Sequence, residues 1–339
     1  MKKNKPFSAH RKTSDSRPQG RGQGRPEGTR DRPLSPGRDR PNSSRPQKRS
    51  EGPRDRPFSH GRERPNSRPQ QKTEESAAKP FVVYRKNPDD PQELKYYGFH
   101  ACLKLWESRP EDVIRVYVDK NIVKDVGELL KWCASKALAY HVISEEEMAK
   151  VSDSVHHEGL CILAKEPKNL TFAEMIEELK ANQNPACLMY LDGVQNPHNI
   201  GSIMRVAAHF GIKYILGQKA TLPKVSPSAY RVAQGGAEHV KIIAIDDTKR
   251  SFKELENAGF KTVASSNHGG HSLYNYKFNP RTVIVMGSES EGVHSKLLES
   301  AHETLLIPGS GNVESLNVSV ATGLFLGEYY RQVESKKYG

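Results

Sequence analysis

The chain has 339 residues, room for two ordinary domains and a tail, and a formal net charge of +12. The charge is uneven: residues 1–79 hold 22 Lys and Arg against 9 Asp and Glu, a net of +13, which leaves the other 260 residues at −1. No apolar run approaches the roughly 18 residues of a membrane span and the polar N-terminus lacks a signal-peptide core, so a cytoplasmic protein is expected.

Residues 1–79 carry 11 of the 22 prolines and almost nothing that could be buried. Arg30 to Ser43 recurs as Arg54 to Ser67, an offset of 24 residues, yet each copy has a single apolar residue, Leu34 or Phe58. Stacked repeats would bury nothing, so the segment is predicted to be a disordered basic tail. Its arginines suit phosphate backbones, because guanidinium pairs bidentately with phosphate and binding releases counterions; a solubilising tail with no partner is the other reading.

From residue 80 to 167 the pattern becomes that of a small α/β domain. Gly98 to Trp106 reads as a helix, Val113 to Val118 as a strand, Val123 to Ala139 as a helix around Leu129, Leu130 and Trp132, and Tyr140 to Ile143 as a strand. Ser144 with Glu147 forms a capping box, and Gly159 to Ala164 is a further strand. His156-His157-Glu158 reads as a turn and cap, since adjacent loop residues do not face one ligand. Cys102, Cys133, Cys161 and Cys187 show no Cys-x-x-Cys pair and no Cys/His cluster at zinc spacing, so four buried, reduced thiols and no metal are expected. A second capping box, Thr171 with Glu174, opens a linker helix within residues 168–185.

In residues 186–339, three strands run into polar, glycine-bearing loops. Cys187 to Leu191 leads into Asp192-Gly-Val-Gln-Asn-Pro-His198 and a helix from Asn199 to Phe210, with another strand at Lys213 to Leu216. Arg281 to Met286 leads into Gly287-Ser-Glu-Ser-Glu-Gly292, and Thr304 to Ile307 into Pro308-Gly-Ser-Gly-Asn-Val-Glu-Ser-Leu-Asn317, followed by helical spacing in Val318, Ala321, Leu324, Phe325 and Leu326. Gly309 and Gly311 permit positive φ or close approach of a ligand, and Ser315 or Asn317 can cap the last helix. In an open α/β sheet, ligands bind in loops at the carboxyl ends of strands. Arg205 lies six residues into the first helix, where neighbouring apolar residues make it a poor surface charge. Glu289 can hold its loop closed or accept hydrogen bonds.

Taken in order and spacing, Asn196-Pro-His-Asn-Ile-Gly-Ser-Ile-Met-Arg205, Met286-Gly-Ser-Glu-Ser-Glu-Gly292 and Ile307 to Ala321 resemble the three motifs of the SpoU/TrmH family of RNA ribose 2′-O-methyltransferases. The resemblance covers about residues 186 to 333. The preceding domain, ending in His157-Glu-Gly159, looks like the ribosomal-protein-like RNA-binding domain that many members carry, and the domain order is most similar to the YfiF-type branch. The resemblance implies a SPOUT fold, a mainly parallel sheet with a C-terminal trefoil knot, in a homodimer that binds S-adenosylmethionine and RNA, ribosomal rather than transfer RNA. By motif position, Gly287, Ile307, Ser315 and Leu316 would line the cofactor site, and Asn199, Arg205, Glu289, Ser315 and Asn317 the catalytic face. Gly309 stands where relatives usually have methionine, and Ser290 where glycine is common; both adjust loop shape. Two other classes are consistent with parts of the sequence. A dinucleotide-dependent oxidoreductase is disfavoured because the third glycine after Gly309-Ser-Gly311 is missing, Glu314 standing there. A non-catalytic RNA-binding or ribosome-assembly factor that retains the fold is the alternative.

Overall fold

The structure, a computed structural model, describes residues 93–334. The basic tail, its repeat and the last five residues lie outside the described residues.

The first sheet is built from β1 (Glu93–Tyr97), β2 (Val113–Asp119), β3 (Tyr140–Ile143) and β4 (Leu160–Lys165), in the order β1-β4-β2-β3. β4 is antiparallel to both its neighbours, and β2 and β3 are parallel. Alternation along β2 and β4 sends Val116, Val118 and Ile162 to one face, against Cys102 and Leu105 of α1 (Phe99–Ser108) and Leu129 and Cys133 of α2 (Gly127–Ser135). Tyr117 and Cys161 go to the other face, against Met148 of α3 (Glu145–Ser152). Both predicted capping boxes form, at Ser144 with Glu147 and at Thr171 with Glu174; the latter opens α4 (Phe172–Ala181).

α2 is shorter than the Val123 to Ala139 helix that its spacing predicts. Residues 120–126 form successive turns, Ile122 N–H donating to the Asp119 carbonyl and Asp125 N–H to that of Ile122. Such turns bring apolar residues round every third position and so imitate a helix. At the far end Ala137 adopts φ 51° and the helix stops.

The second sheet has seven parallel strands in the order β7-β6-β5-β10-β8-β11-β9. They are β5 (Ala186–Asp192), β6 (Tyr214–Gln218), β7 (Lys241–Ile245), β8 (Lys261–Ser265), β9 (His271–Ser272), β10 (Arg281–Gly287) and β11 (Glu303–Leu306). Both faces are covered, which explains the unbroken apolar runs of β5 and β10. Met189, Leu191, Ile284 and Met286 pack toward α5 (Pro197–His209), α6 (Pro227–Ala233) and α9 (Val318–Val333). Leu188, Tyr190, Val283 and Val285 pack toward α4, α7 (Thr248–Asn257) and α8 (Ser295–Ser300). At the start of β10, Arg281 is buried without an acid: it donates to the Leu179 and Asn182 carbonyls at 2.8 and 2.9 Å and lies 4.4 Å from the Phe260 ring centroid. The carbonyl end of α4, where the helix dipole is negative, thus receives a cation that ties it to the sheet.

All four cysteines are free and buried. Burial pushes the Cys133 thiol up to about 11 and that of Cys161 up to about 12.

Candidate active site

Because every strand of the second sheet runs the same way, the loops after β5, β10 and β11 emerge at one edge. β8 lies between β10 and β11, so the loop of residues 266–270 joins them; its His268 Nε2 lies 3.5 Å from Glu314 Oε1.

The loop after β10 is held closed by its own backbone. Ser288 and Gly292 form an antiparallel bridge, with Gly292 N–H donating to the Ser288 carbonyl at 3.0 Å. Gly287 is the tightest point: a Cβ there would fall 2.0 Å from the Gly292 carbonyl carbon. Its glycine is demanded by the loop folding back on itself. The same loop is joined to the end of β5, where Asp192 Oδ2 accepts the His294 N–H at 2.8 Å.

Asn317 is the N-cap of the 16-residue α9 and the centre of the site. Its Oδ1 accepts from Ser319 N–H at 2.9 Å and from Ser319 Oγ at 2.5 Å. The backbone N–H can only donate, which fixes the amide's orientation and turns Nδ2 toward the other two motifs. That nitrogen donates to Asn199 Oδ1 at 3.0 Å and to Glu289 Oε1 at 2.5 Å. Asn199 is buried on the first turns of α5, where Asn196 caps the helix and Pro197 occupies its first turn. Glu289 places its carboxylate near the positive end of the α9 dipole.

The structure therefore brings together three of the predicted catalytic residues, Asn199, Glu289 and Asn317. Ser315 and Leu316 precede Asn317 on an exposed loop, and Ser315 makes no hydrogen bond among the described residues. Ile307 is half-buried, packed against the core under α9. Arg205 stands apart. Six residues along a helix of 3.6 per turn set it about 120° around α5 from Asn199. It is exposed, without an ion pair among the described residues, at a cavity of about 490 Å³ shared with His209, Phe210, Gln234, Gly236 and Gly323. Sequence reasoning missed Ser319, which orients Asn317, and Asp192, which ties two loops. A serine two residues after a cap, and an acid ending an apolar strand, were the available signals.

A parallel sheet whose glycine and amide loops meet at one carboxyl edge, with the last helix starting among them, defines an open α/β domain with its ligand site at the ends of the strands. AviRb from Streptomyces viridochromogenes, a SpoU methyltransferase solved in complex with AdoMet, matches with a TM-score of 0.58 at 16% identity, over 73% of this chain and 91% of that one. A structure described as an RNA 2′-O ribose methyltransferase also gives 0.58, at 21% identity, over 71% and 89%. In sequence, residues 186–327 match the SpoU rRNA Methylase family, and residues 96–170 match the RNA 2′-O ribose methyltransferase substrate binding family. YfiF of Escherichia coli O157:H7, named as an uncharacterized tRNA/rRNA methyltransferase, is 37% identical over 241 residues, 71% of this chain and 69% of that protein. RlmB of Escherichia coli strain K12, a 23S rRNA (guanosine-2′-O-)-methyltransferase, is 32% identical over 237 residues, 70% and 97%. This chain belongs to the SpoU rRNA methylase family.

Proposed function

We propose that the protein methylates a ribose 2′-hydroxyl of RNA, with S-adenosylmethionine as methyl donor. Ribosomal RNA is favoured over transfer RNA, because the match to RlmB extends over 97% of that enzyme. In this reading residues 80–167 bind the substrate, 168–185 link, and 186–339 carry the catalytic unit with its knotted C-terminal chain. It works in the cytoplasm, where ribosomal RNA is found, as a homodimer.

The observation that carries the reading is the joining of Asn199, Glu289 and Asn317, one from each motif, through a single amide. The residues fit an adenosyl cofactor. Ile307 and the 42% exposed Leu316 offer apolar walls, and a Cβ at Gly309 or Gly311 would meet only open space, so the backbone there is bare to a ligand. Gly287, Ile307, Ser315 and Leu316 would hold it, and when bound it supplies an electrophilic sulfonium methyl.

The rest is done by the chain's own side chains. With both ends of the Asn317 amide committed, Asn199 and Glu289 are held as one rigid unit, which aligns the ribose for in-line attack. Glu289 Oε2 makes no hydrogen bond among the described residues and is left to accept one from a ribose hydroxyl. The Arg205 guanidinium, a donor with no acceptor atom, stabilises the alkoxide that develops as the hydroxyl proton leaves. Its place on α5, away from Asn199 and beside Gly323 of α9, suits a site completed by a second copy.

The test is methyl incorporation from labelled S-adenosylmethionine into 23S ribosomal RNA transcribed in vitro, followed by alkaline hydrolysis. Label in a dinucleotide resistant to alkali identifies ribose methylation, because the attacking 2′-oxygen is blocked. Label in mononucleotides would mean base methylation, and cofactor-independent RNA binding without incorporation would identify a non-catalytic factor.

A further inference from the structure

α6 and the short turn at Gly236–Glu238 pack on the second sheet's core through Ala229 and Ala233 and reach the first sheet's core as well. Tyr230 on α6 is a member of the core formed by Val116, Val118, Ile162 and Leu105, with its ring centroid 4.5 Å from that of Tyr96. At the edge of this contact Arg109 Nε donates to Glu238 Oε2 at 2.8 Å and Nη2 to Oε1 at 3.4 Å, the two side chains being only 11% and 8% exposed. Arg109 also donates to Asp112 Oδ2, to the Tyr96 hydroxyl and to the Lys165 carbonyl, where the chain leaves β4 for the linker. One guanidinium therefore joins β1, the end of β4 and the Gly236–Glu238 turn.

That turn has a second neighbour. A Cβ on Gly236 would fall 2.9 Å from the Arg205 Cα, and one on Gly235 2.6 Å from the Lys104 Cβ of α1. Residues 235–238 thus lie between α1 and Arg109 of the small domain on one side and the backbone of Arg205 on the other. Burial acts to lower the Arg109 pKa, but Glu238 outweighs it and the guanidinium is raised overall. A buried ion pair gives little net stability against well-packed apolar residues, while its bidentate geometry accepts one orientation only. Its physical yield is a fixed angle between two bodies.

We propose that Arg109 and Glu238 are positioning residues, a latch that fixes the small sheet relative to Arg205 so that bound RNA presents one ribose to the site. The proposal rests on the methyltransferase reading for its consequence, and on the contact geometry for its existence. The experiment uses full-length protein with in-vitro-transcribed 23S ribosomal RNA, comparing Glu238→Gln, Arg109→Lys and the reciprocal Arg109→Glu/Glu238→Arg. Glu238→Gln is expected to raise the KM for RNA about tenfold and to spread methylation to neighbouring riboses, as a displacement of about an ångström would, with S-adenosylmethionine affinity by calorimetry unchanged. Arg109→Lys, which keeps the charge and loses the fork, should do the same, and the reciprocal pair should recover part of the loss. A lowered melting temperature with KM and the modification map intact would reduce the pair to a structural contact and overturn the proposal. If the parent protein transfers no methyl, the methyltransferase reading fails on its own, and the latch is judged by gel shift on the same RNA. A comparable loss of affinity in Glu238→Gln supports it, and unchanged affinity overturns it.

Discussion

Asn317 Nδ2 lies 3.0 Å from Asn199 Oδ1, joining residues 118 apart in the chain. The bond runs from the cap of the last helix to the first turns of α5, and the same nitrogen donates to Glu289. The amide is therefore both a helix cap and the link between motifs, and the two roles can be separated by substitution.

Asn317→Asp keeps a good N-cap but replaces the donor by a carboxylate facing Glu289. At neutral pH folding stability should fall by about 1 kcal/mol, because the cap is kept but the two facing carboxylates repel. Methyl transfer should fall by roughly 100-fold or more, the scale of losing one preorganised donor. Two facing carboxylates also favour proton uptake, so activity should recover partly as pH falls toward 5. Asn317→Ala should lose the same activity and in addition about 1 kcal/mol of stability with the cap. Thermal melts beside a pH–rate profile check both.

Arg205→Ala removes an exposed guanidinium that has no partner among the described residues. Stability should change by no more than about 0.5 kcal/mol and S-adenosylmethionine affinity not at all, because Arg205 lies on α5 and the loops assigned to the cofactor follow β10 and β11. Single-turnover methylation should drop about 100-fold or more. Arg205→Lys should rescue poorly, since an ammonium lacks the planar fork. Near-parent turnover in Arg205→Ala would remove it from the catalytic set.

These residues differ in how legible they are in the sequence. The strands β5, β10 and β11 are readable because each is an apolar run ending at a glycine or polar loop, and the cap role of Asn317 because a helical pattern begins at Val318. The two capping boxes follow from residue type and spacing alone. The sheet order does not. β10 lies between β5 and β8 through pairings made 95 residues apart in one case and 21 in the other, and no local pattern encodes such a choice. Residues 217 to 280 also gave no reading: β8 has five residues, β9 two and α6 seven, each too short for periodicity to register, and the ten-residue α7 buries only Ser251 and Leu255. The contact of Tyr230 with the first sheet was hidden for the same reason.

Gly287→Ala tests the loop after β10. The added methyl would meet the Gly292 and Val293 backbone at 2.0 to 2.2 Å, and backbone cannot rotate away as a side-chain end can. The loop must open, displacing Glu289, at a cost of about 1–3 kcal/mol. A melting temperature lower by several degrees together with loss of turnover is expected, and a fully active, equally stable protein would show that the loop is looser than the structure has it.

The buried thiols give a pH prediction. Burial raises Cys133 and Cys161 from 9.0 to about 11 and about 12, so both are neutral at pH 8 and should resist iodoacetamide until the protein is unfolded. The raised folded-state values mean the neutral form is favoured only in the native protein. Their contribution to stability is complete below pH 9 and is lost as pH rises through 11 to 12. Denaturant midpoints measured from pH 8 to 11 should therefore fall, and Cys161→Ala should flatten the fall.

The exposed side of α9 carries the prediction about assembly. Val320 and Leu324 are 53% and 36% exposed, four residues apart and so on one stripe of the helix, while Val318, Phe325 and Leu326 face the core. Arg205, Val206, His209 and Phe210 of α5 line a cavity together with Gly323, the residue before Leu324. Covering stripe and cavity with a second copy would remove the apolar exposure and bring Arg205 against another subunit. Val320→Glu with Leu324→Glu should then yield a folded monomer by analytical ultracentrifugation at micromolar concentration, with turnover lost in step with dissociation. Neither side chain is buried in the single chain, so the melt should show no more than a small change beyond the loss of association. A variant that stays dimeric, or a monomer with full turnover, would place the interface elsewhere and make Arg205 act within its own chain.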